Sequence, residues 1–164
     1  MVRADGSTVS HVVEPVGLVR SERADPADTD RWASVVSTIL LDDRLPADCL
    51  IGLEDFSHVE VLFVFDRAAE HDDYRPRPAR GRADLPAVGV FAGRGPRRPN
   101  RIGATICELL SVEGRVLTVR GLDAVDGTPV IDIKPVLTQF LPTGVRQPAW
   151  VDALMAEYFV DREG

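Results

Sequence analysis

Between Val35 and Ile133 the chain is cut by glycines, prolines and acidic residues into short β-forming runs, and no helical period begins before Pro148. Closely spaced short strands satisfy their backbone groups by antiparallel pairing with near neighbours, and closing the sheet on itself removes its open edges. Val35–Leu41 is β-rich and closed by Asp42-Asp43, and Val59–Phe65 is a nearly unbroken apolar run that reads as a strand buried on both faces. Ile102–Val112 and Val116–Leu122, joined at Glu113-Gly114, form the clearest hairpin, and Val130–Ile133 follows the Asp126-Gly127 turn. Pro15 and Gly17 reduce His11–Val19 to an edge strand, Val88–Phe91 is a further short strand, and Pro46–Leu53 is at most one helical turn ended by Gly52. At the C-terminus Trp150, Val151, Leu154, Met155, Tyr158 and Phe159 make one apolar stripe on a helix of about three turns, too short to persist undocked. The expected fold is mainly β: a closed or nearly closed antiparallel barrel with one docking helix. Residues 1–10 read as a flexible terminus and 11–164 as a single domain.

A chain of 164 residues with 45% hydrophobic content buries a core without staples, so its two cysteines, Cys49 and Cys107, read as free thiols suited to a reducing cytoplasm. No apolar run reaches the ~18 residues of a membrane span. The formal charge of -7 repels phosphate backbones at long range, so a nucleic-acid partner would need a local basic patch. The basic residues are eighteen arginines and one lysine, Lys134, which marks that position as one suited to a compact ammonium.

The Gly-x-Gly-x-x-Gly nucleotide loop, the Walker loop and the His-x-x-x-His metal pair are all missing, and no metal site is expected. Two segments stand out instead. In Phe91–Gly103, Pro96 and Pro99 stiffen the backbone, Gly93, Gly95 and Gly103 permit close approach, and Arg94, Arg97, Arg98 and Arg101 offer preorganised guanidinium groups for a carboxylate, a phosphate or an aromatic face. In Gly121–Pro135, Asp123, Asp126, Asp132 and Lys134 surround one short strand whose alternation puts Asp132 and Lys134 on one face. A solvated turn and a solvated charged strand would account for the same residues. His58, at the start of the buried run, is either a hydrogen-bonding orienter at a barrel end or a satisfied structural group. His11 and His71 carry little information. Asp66–Pro86 has no apolar period and carries Arg75, Arg77, Arg80 and Arg82.

Three ordered motifs, Gly52-Leu-Glu-Asp-Phe-Ser-His58, Phe91-Ala-x-Arg94 with Arg98-Pro-Asn-x-Ile-Gly103, and Leu122-Asp-x-x-Asp-Gly-Thr-Pro-Val-x-Asp-Ile-Lys-Pro135, resemble the TsaA/TrmO family. The resemblance runs from about Val13 to Lys134 and continues more loosely to the end. It implies a single-sheet β-barrel, a homodimer, S-adenosylmethionine (SAM) as cofactor, and methyl transfer to N6 of threonylcarbamoyl-adenosine in tRNA. Carried over by position, it puts the cofactor against Asp30, Arg31, Trp32, Arg67, Ala68, Arg94, Ala104, Arg120, Gly121, Leu122 and Asp123. Asp126 or Asp132 would remove the proton, Lys134 and Arg98 would fix substrate or cofactor charge, and His58 would orient. Arg97, Arg98, Asn100, Arg75 and Arg77 would meet the substrate. The chain departs from the family pattern at Asp66, Gly95 and Arg101, where His, Ser and Pro are usual. Two other functions fit the same residues: SAM-dependent methylation of a small metabolite, or a non-catalytic SAM-binding or RNA-binding module.

Overall fold

The computed structural model describes residues 10–27, 29–70 and 72–160. His71 and nearly all of the expected N-terminal tail therefore lie outside the described residues. Six strands close a barrel: β1 (Gly17–Arg20), β2 (Val36–Leu41), β3 (His58–Val64), β6 (Ile102–Glu113), β7 (Val116–Arg120) and β8 (Pro129–Pro135). Their order around the barrel is β1-β2-β7-β6-β3-β8, every neighbouring pair is antiparallel, and the β1–β8 pairing of Gly17 with Val130 closes it. A separate two-stranded ladder joins β4 (Arg77–Pro78) to β5 (Ala87–Val88).

Alternation sorts the side chains. Val59, Val61 and Phe63 of β3, Cys107 of β6, Leu117 and Val119 of β7, and Val130 of β8 point inward and are almost fully buried with Val19, Ile39 and Leu122. Each such aliphatic or aromatic group contributes about 1.5–3 kcal/mol on removal from water. Two positions depart from simple alternation. Val130 faces Phe63 and Asp132 faces Leu62, so Ile131 forms a bulge, and Val130 and Ile133 both reach the core side while Asp132 and Lys134 lie on the outer wall beside Leu62 and Glu60. A second bulge, between Leu109 and Ser111, bends the long β6 strand.

Several expectations shift in detail. The first strand begins at Gly17 rather than His11, and Val90–Ala92 is a 3-10 turn rather than the end of a strand. The C-terminal helix α1 spans Ala149–Met155, about two turns rather than three. Its apolar stripe is only half-covered, and no residue of the helix is fully buried. The segment 66–86 is also less free than its composition suggests, because the β4–β5 ladder and a set of ion pairs pin it. Among the described residues no helix is long and apolar enough to cross a membrane.

Strand direction decides where the loops go. The connections 21–35, 65–101 and 121–128 all leave the same end of the barrel, here called the upper rim. The connections 42–57 and 114–115, and the exit of the chain after β8, occupy the lower rim. The C-terminal segment then returns to the upper rim, where Arg31 N donates to Glu157 O and Trp32 N to Tyr158 O, both at 2.8 Å.

Candidate functional site

Most of the residues singled out in the sequence meet at the upper rim. Arg67, just past β3, ties all three loops together: its guanidinium donates to Ala24 O at 2.8 Å and to Asp126 O at 2.7 Å. Ala68 is held from the other side of the same loop, where Arg101 donates to its carbonyl at 3.1 Å. Asp126 accepts a hydrogen bond from Ser21 N at 3.2 Å and lies 3.9 Å from the Arg20 guanidinium. Gly121 adopts a left-handed φ of 84° and donates to Val35 O at 2.9 Å, which turns the chain so that Leu122 plugs the core and Asp123 faces the loops. Leu122 is fully buried, which leaves its backbone for any ligand. Arg120, at the end of β7, forms an ion pair with Glu108 at 2.8 Å.

Asp123 is held by a side-chain donor on each carboxylate oxygen. Thr105 Oγ1 donates to one of its oxygens and Tyr158 Oη to the other. Burial, together with the adjoining Asp123, pushes the Tyr158 hydroxyl above its ordinary range, so it stays a donor. The Arg80 guanidinium sits 4.9 Å from the Tyr158 ring centroid and is held by Asp30 at 2.6 Å. Arg94 donates to Ala104 O. Arg23, almost fully buried, stacks 3.9 Å over the Trp32 ring and donates to the carbonyls of Asp30 and Arg31. Trp32 Nε1 is buried without a hydrogen-bond partner among the described residues. Arg31, Arg80 and Arg101 all adopt positive φ, between 50° and 63°, a strained conformation concentrated in the upper-rim loops.

The arginines divide into two groups. Arg75 forms a two-pronged pair with Asp73, Arg77 reaches the same carboxylate at 2.6 Å, and Arg82 pairs with Asp84 at 2.6 Å. By contrast, no carboxylate pairs with Arg97, Arg98 or Arg101 among the described residues. Arg98 is instead steadied by the carbonyls of Gly93 and Gly95 at 3.3 and 3.4 Å. Asn100 lies exposed in the same turn. Arg97, Arg98 and Arg101 line a cleft of about 470 Å³ with Pro99, Glu70 and Asp72.

Three expected site residues lie elsewhere. His58 opens β3 at the lower rim, where its exposed ring shares a hydrogen bond with Ser57 Oγ at 2.9 Å, and its carbonyl receives Val136 N. Asp132 and Lys134 pair with each other on the outer wall, and this ion pair raises the Lys134 ammonium above its ordinary value. Strand direction separates these groups from Asp123 and Asp126: the chain passes from the rim that carries the loops to the one that carries the turns. Gly103 also has a different role from the ligand approach its motif suggests, because the Phe63 ring occupies the space beside its α-carbon.

Thr105, Arg23 and Tyr158 were not legible as site residues. Thr105 alternates with Gly103 and Cys107 and so points inward, a signal present in the strand pattern. Tyr158 is hidden within the apolar stripe of the C-terminal segment, and nothing local marks its contact with Asp123. Among the described residues no group of three or more His, Cys, Asp or Glu side chains is placed to hold a metal ion.

Comparison with known proteins identifies the family and the fold. Residues 18–140 match the family model described as the tRNA-methyltransferase O N-terminal domain. A mouse protein named tRNA (adenine(37)-N6)-methyltransferase is 37% identical over 79% of the chain, which spans 31% of that relative. A Methanothermobacter thermautotrophicus protein named probable S-adenosyl-L-methionine-binding protein is 44% identical over 75% of the chain and 88% of its own length. A crystal structure of TrmO from Pseudomonas aeruginosa superposes with a TM-score of 0.69 at 33% identity, covering 84% of this chain and 61% of that one.

Proposed function

The chain belongs to the tRNA-methyltransferase O N-terminal domain family, and from that premise we propose that it is a SAM-dependent methyltransferase acting on N6 of an adenosine in tRNA, most specifically a threonylcarbamoyl-adenosine. The observation that carries this reading is the placing of Asp30, Arg31, Trp32, Arg67, Ala68, Arg94, Gly121 and Asp123 at one rim, beside a cleft whose three arginines pair with no carboxylate among the described residues.

The donor set fits the cofactor. SAM carries a carboxylate, an ammonium, a ribose diol and an adenine. The upper rim has guanidinium groups for the first, the Asp123 carboxylate for the second or third, and the unpartnered Trp32 indole N–H as a spare donor. When bound, SAM supplies an electrophilic methyl group on a sulfonium.

The chain's own work is positioning and proton handling. Arg67 fixes the three loops relative to one another, so the groups on each are held before any ligand arrives. Asp126, steadied through Ser21 N, is the carboxylate assigned to take the acceptor's proton, worth about 10²–10⁴-fold in rate for a well-placed base. Arg97, Arg98 and Arg101 are assigned to tRNA phosphates, which suits guanidinium groups that pair with no carboxylate among the described residues. Arg75 and Arg77, already claimed by Asp73, are assigned a lesser part.

A tRNA enzyme of this kind works in the cytoplasm and, on the family resemblance, as a homodimer. Exposed apolar side chains, Phe91 in the upper-rim connection and Phe140 and Leu141 after β8, are available for that pairing. The chain spans about a third of the length of the mouse relative, so the activity and partners of that whole protein come to this chain as proposals.

Isothermal titration with SAM, with and without bulk modified tRNA, tests the reading. Saturable binding near one SAM per subunit, with heat that changes when tRNA is present, supports it. SAM binding indifferent to tRNA moves the acceptor to a small metabolite, a reading the charge of -7 favours. SAM binding without methyl transfer to any acceptor points to a binding module, and no SAM binding overturns the enzyme.

A further inference from the structure

We propose that Tyr158 is a positioning residue for the cofactor: it reaches in from the C-terminal segment, outside the family-matched region 18–140, and fixes the Asp123 carboxylate through its hydroxyl. The inference rests on the SAM reading above and adds a residue and a wall to that pocket.

The geometry is that of a strap. Residues 149–160 cross the upper rim and are held there chiefly by polar links to three separate places. Glu157 O and Tyr158 O accept from Arg31 N and Trp32 N in the 21–35 loop. Arg82, in the 65–101 loop, donates to Ala153 O at 3.2 Å, and Arg80 of the same loop covers the Tyr158 ring. The third link is Tyr158 Oη to Asp123. Because α1 buries none of its residues fully, packing alone gives this segment little hold on the barrel.

The strap also borders open space. A cleft of about 490 Å³ lies between Asp30 and Arg80 on one side and Leu154 and Glu157 on the other. Asp30 is among the residues assigned to the cofactor, so the strap forms a wall of that region and does not cap a finished surface. With Thr105 holding one Asp123 oxygen from inside the barrel and Tyr158 the other from the strap, the carboxylate has a fixed direction. Each oxygen keeps a lone pair for a ligand hydroxyl or ammonium. Removing either donor frees the carboxylate to rotate, and the cofactor must then supply the ordering.

The test is the Kd for SAM of the full chain carrying Tyr158→Phe, alongside hydrogen exchange at the Trp32 amide, whose bond to Tyr158 O reports whether the strap is seated. Loss of a hydrogen bond to a carboxylate predicts a rise in Kd of about tenfold with the Trp32 amide still protected. An unchanged Kd in the folded variant overturns the proposal, as does tighter binding, which would make the tyrosine an obstacle. If protection and affinity fall together, Thr105→Val decides, since it removes the other donor without touching the strap: a comparable rise in Kd supports the positioning of Asp123, and an unchanged one overturns it. Absence of SAM binding by the unsubstituted chain overturns the underlying reading before any variant is made.

Discussion

Phe63 and Gly103 face each other across the β3–β6 ladder, and the Phe63 ring rests against the Gly103 α-carbon where any side chain would stand. Gly103→Ala drives a methyl into that ring, and an overpacked core of this kind costs about 1–3 kcal/mol. Urea denaturation is expected to show the loss as a lower midpoint with an unchanged slope. A midpoint equal to that of the unsubstituted chain would mean the ring is not seated there.

Asp126 and Asp132 are separated by the bulge at Ile131, with one at the upper rim and the other on the outer wall. Asp126→Asn is expected to lower kcat by about a hundredfold or more while leaving the Kd for SAM within about twofold. Asp132→Asn, which breaks only the pair with Lys134, is expected to leave turnover near that of the unsubstituted chain. Methylation assays on both variants check the assignment, and the reverse ranking would move the base to the outer wall.

For the arginines, the partition between paired and unpaired groups sets the expectation. Replacing Arg97 and Arg98 together by Gln is expected to weaken tRNA retention and to flatten its salt dependence by about one unit of slope for each phosphate no longer neutralised. The same change at Arg75 and Arg77 leaves Asp73 without its partners and is expected to have the smaller effect on tRNA. Filter binding over a salt series measures both, and a larger effect from the second pair would reassign the interface.

The two thiols are expected to differ sharply. Cys107 lies inside the barrel, and burial together with the nearby Asp123 pushes its thiol up to about 12, whereas Cys49 is exposed. Thiolate is the reactive form. Alkylation of the native chain at pH 8 is therefore expected to modify Cys49 alone, with Cys107 reacting only after denaturation. Mass spectrometry of the labelled peptides gives the result directly.

Asp73 provides a pH test of the pinned loop. The hydrogen bond from the Arg75 guanidinium, with help from the Arg75 amide and from Arg77, holds its carboxyl well below the usual carboxylate range. The folded value is depressed, so the clamp's contribution is fully present above the ordinary aspartate value of 3.8 and is lost only as pH falls through the folded value. Carboxyl-carbon NMR is expected to show Asp73 untitrated at pH 3, where exposed aspartates have begun to protonate. An ordinary titration midpoint would show that Arg75 and Arg77 are free of it.

Much of the barrel could be read from the chain because alternation is local: the inward set of β3 is visible in Val59, Val61 and Phe63 without knowledge of any partner. The family motifs likewise marked the rim segments, and Arg67, Arg94 and Asp123 lie there, bonded to Asp126, Ala104 and Tyr158 in turn. What could not be read depends on direction and on distance along the chain. Lys134 and His58 sit in motifs as distinctive as the others, yet strand direction carries both to the lower end, and a motif does not state which end it occupies. The Asp73 clamp was hidden because composition counts charges without pairing them. Tyr158 was hidden because its partner is 35 residues away and its own neighbours are apolar.

The pairing of Gly17 with Val130 has a further consequence for how the chain is made. Contacts between residues so far apart in sequence close late, since loop entropy is lost before they return any stabilisation. During synthesis β1 can pair with β2 early, but its other edge has no partner until β8 has emerged from the ribosome. The nascent chain thus carries an open strand edge until β8 is available to cover it. For as long as that edge is bare, the concentration of neighbouring chains governs the yield of folded protein more than the final stability does.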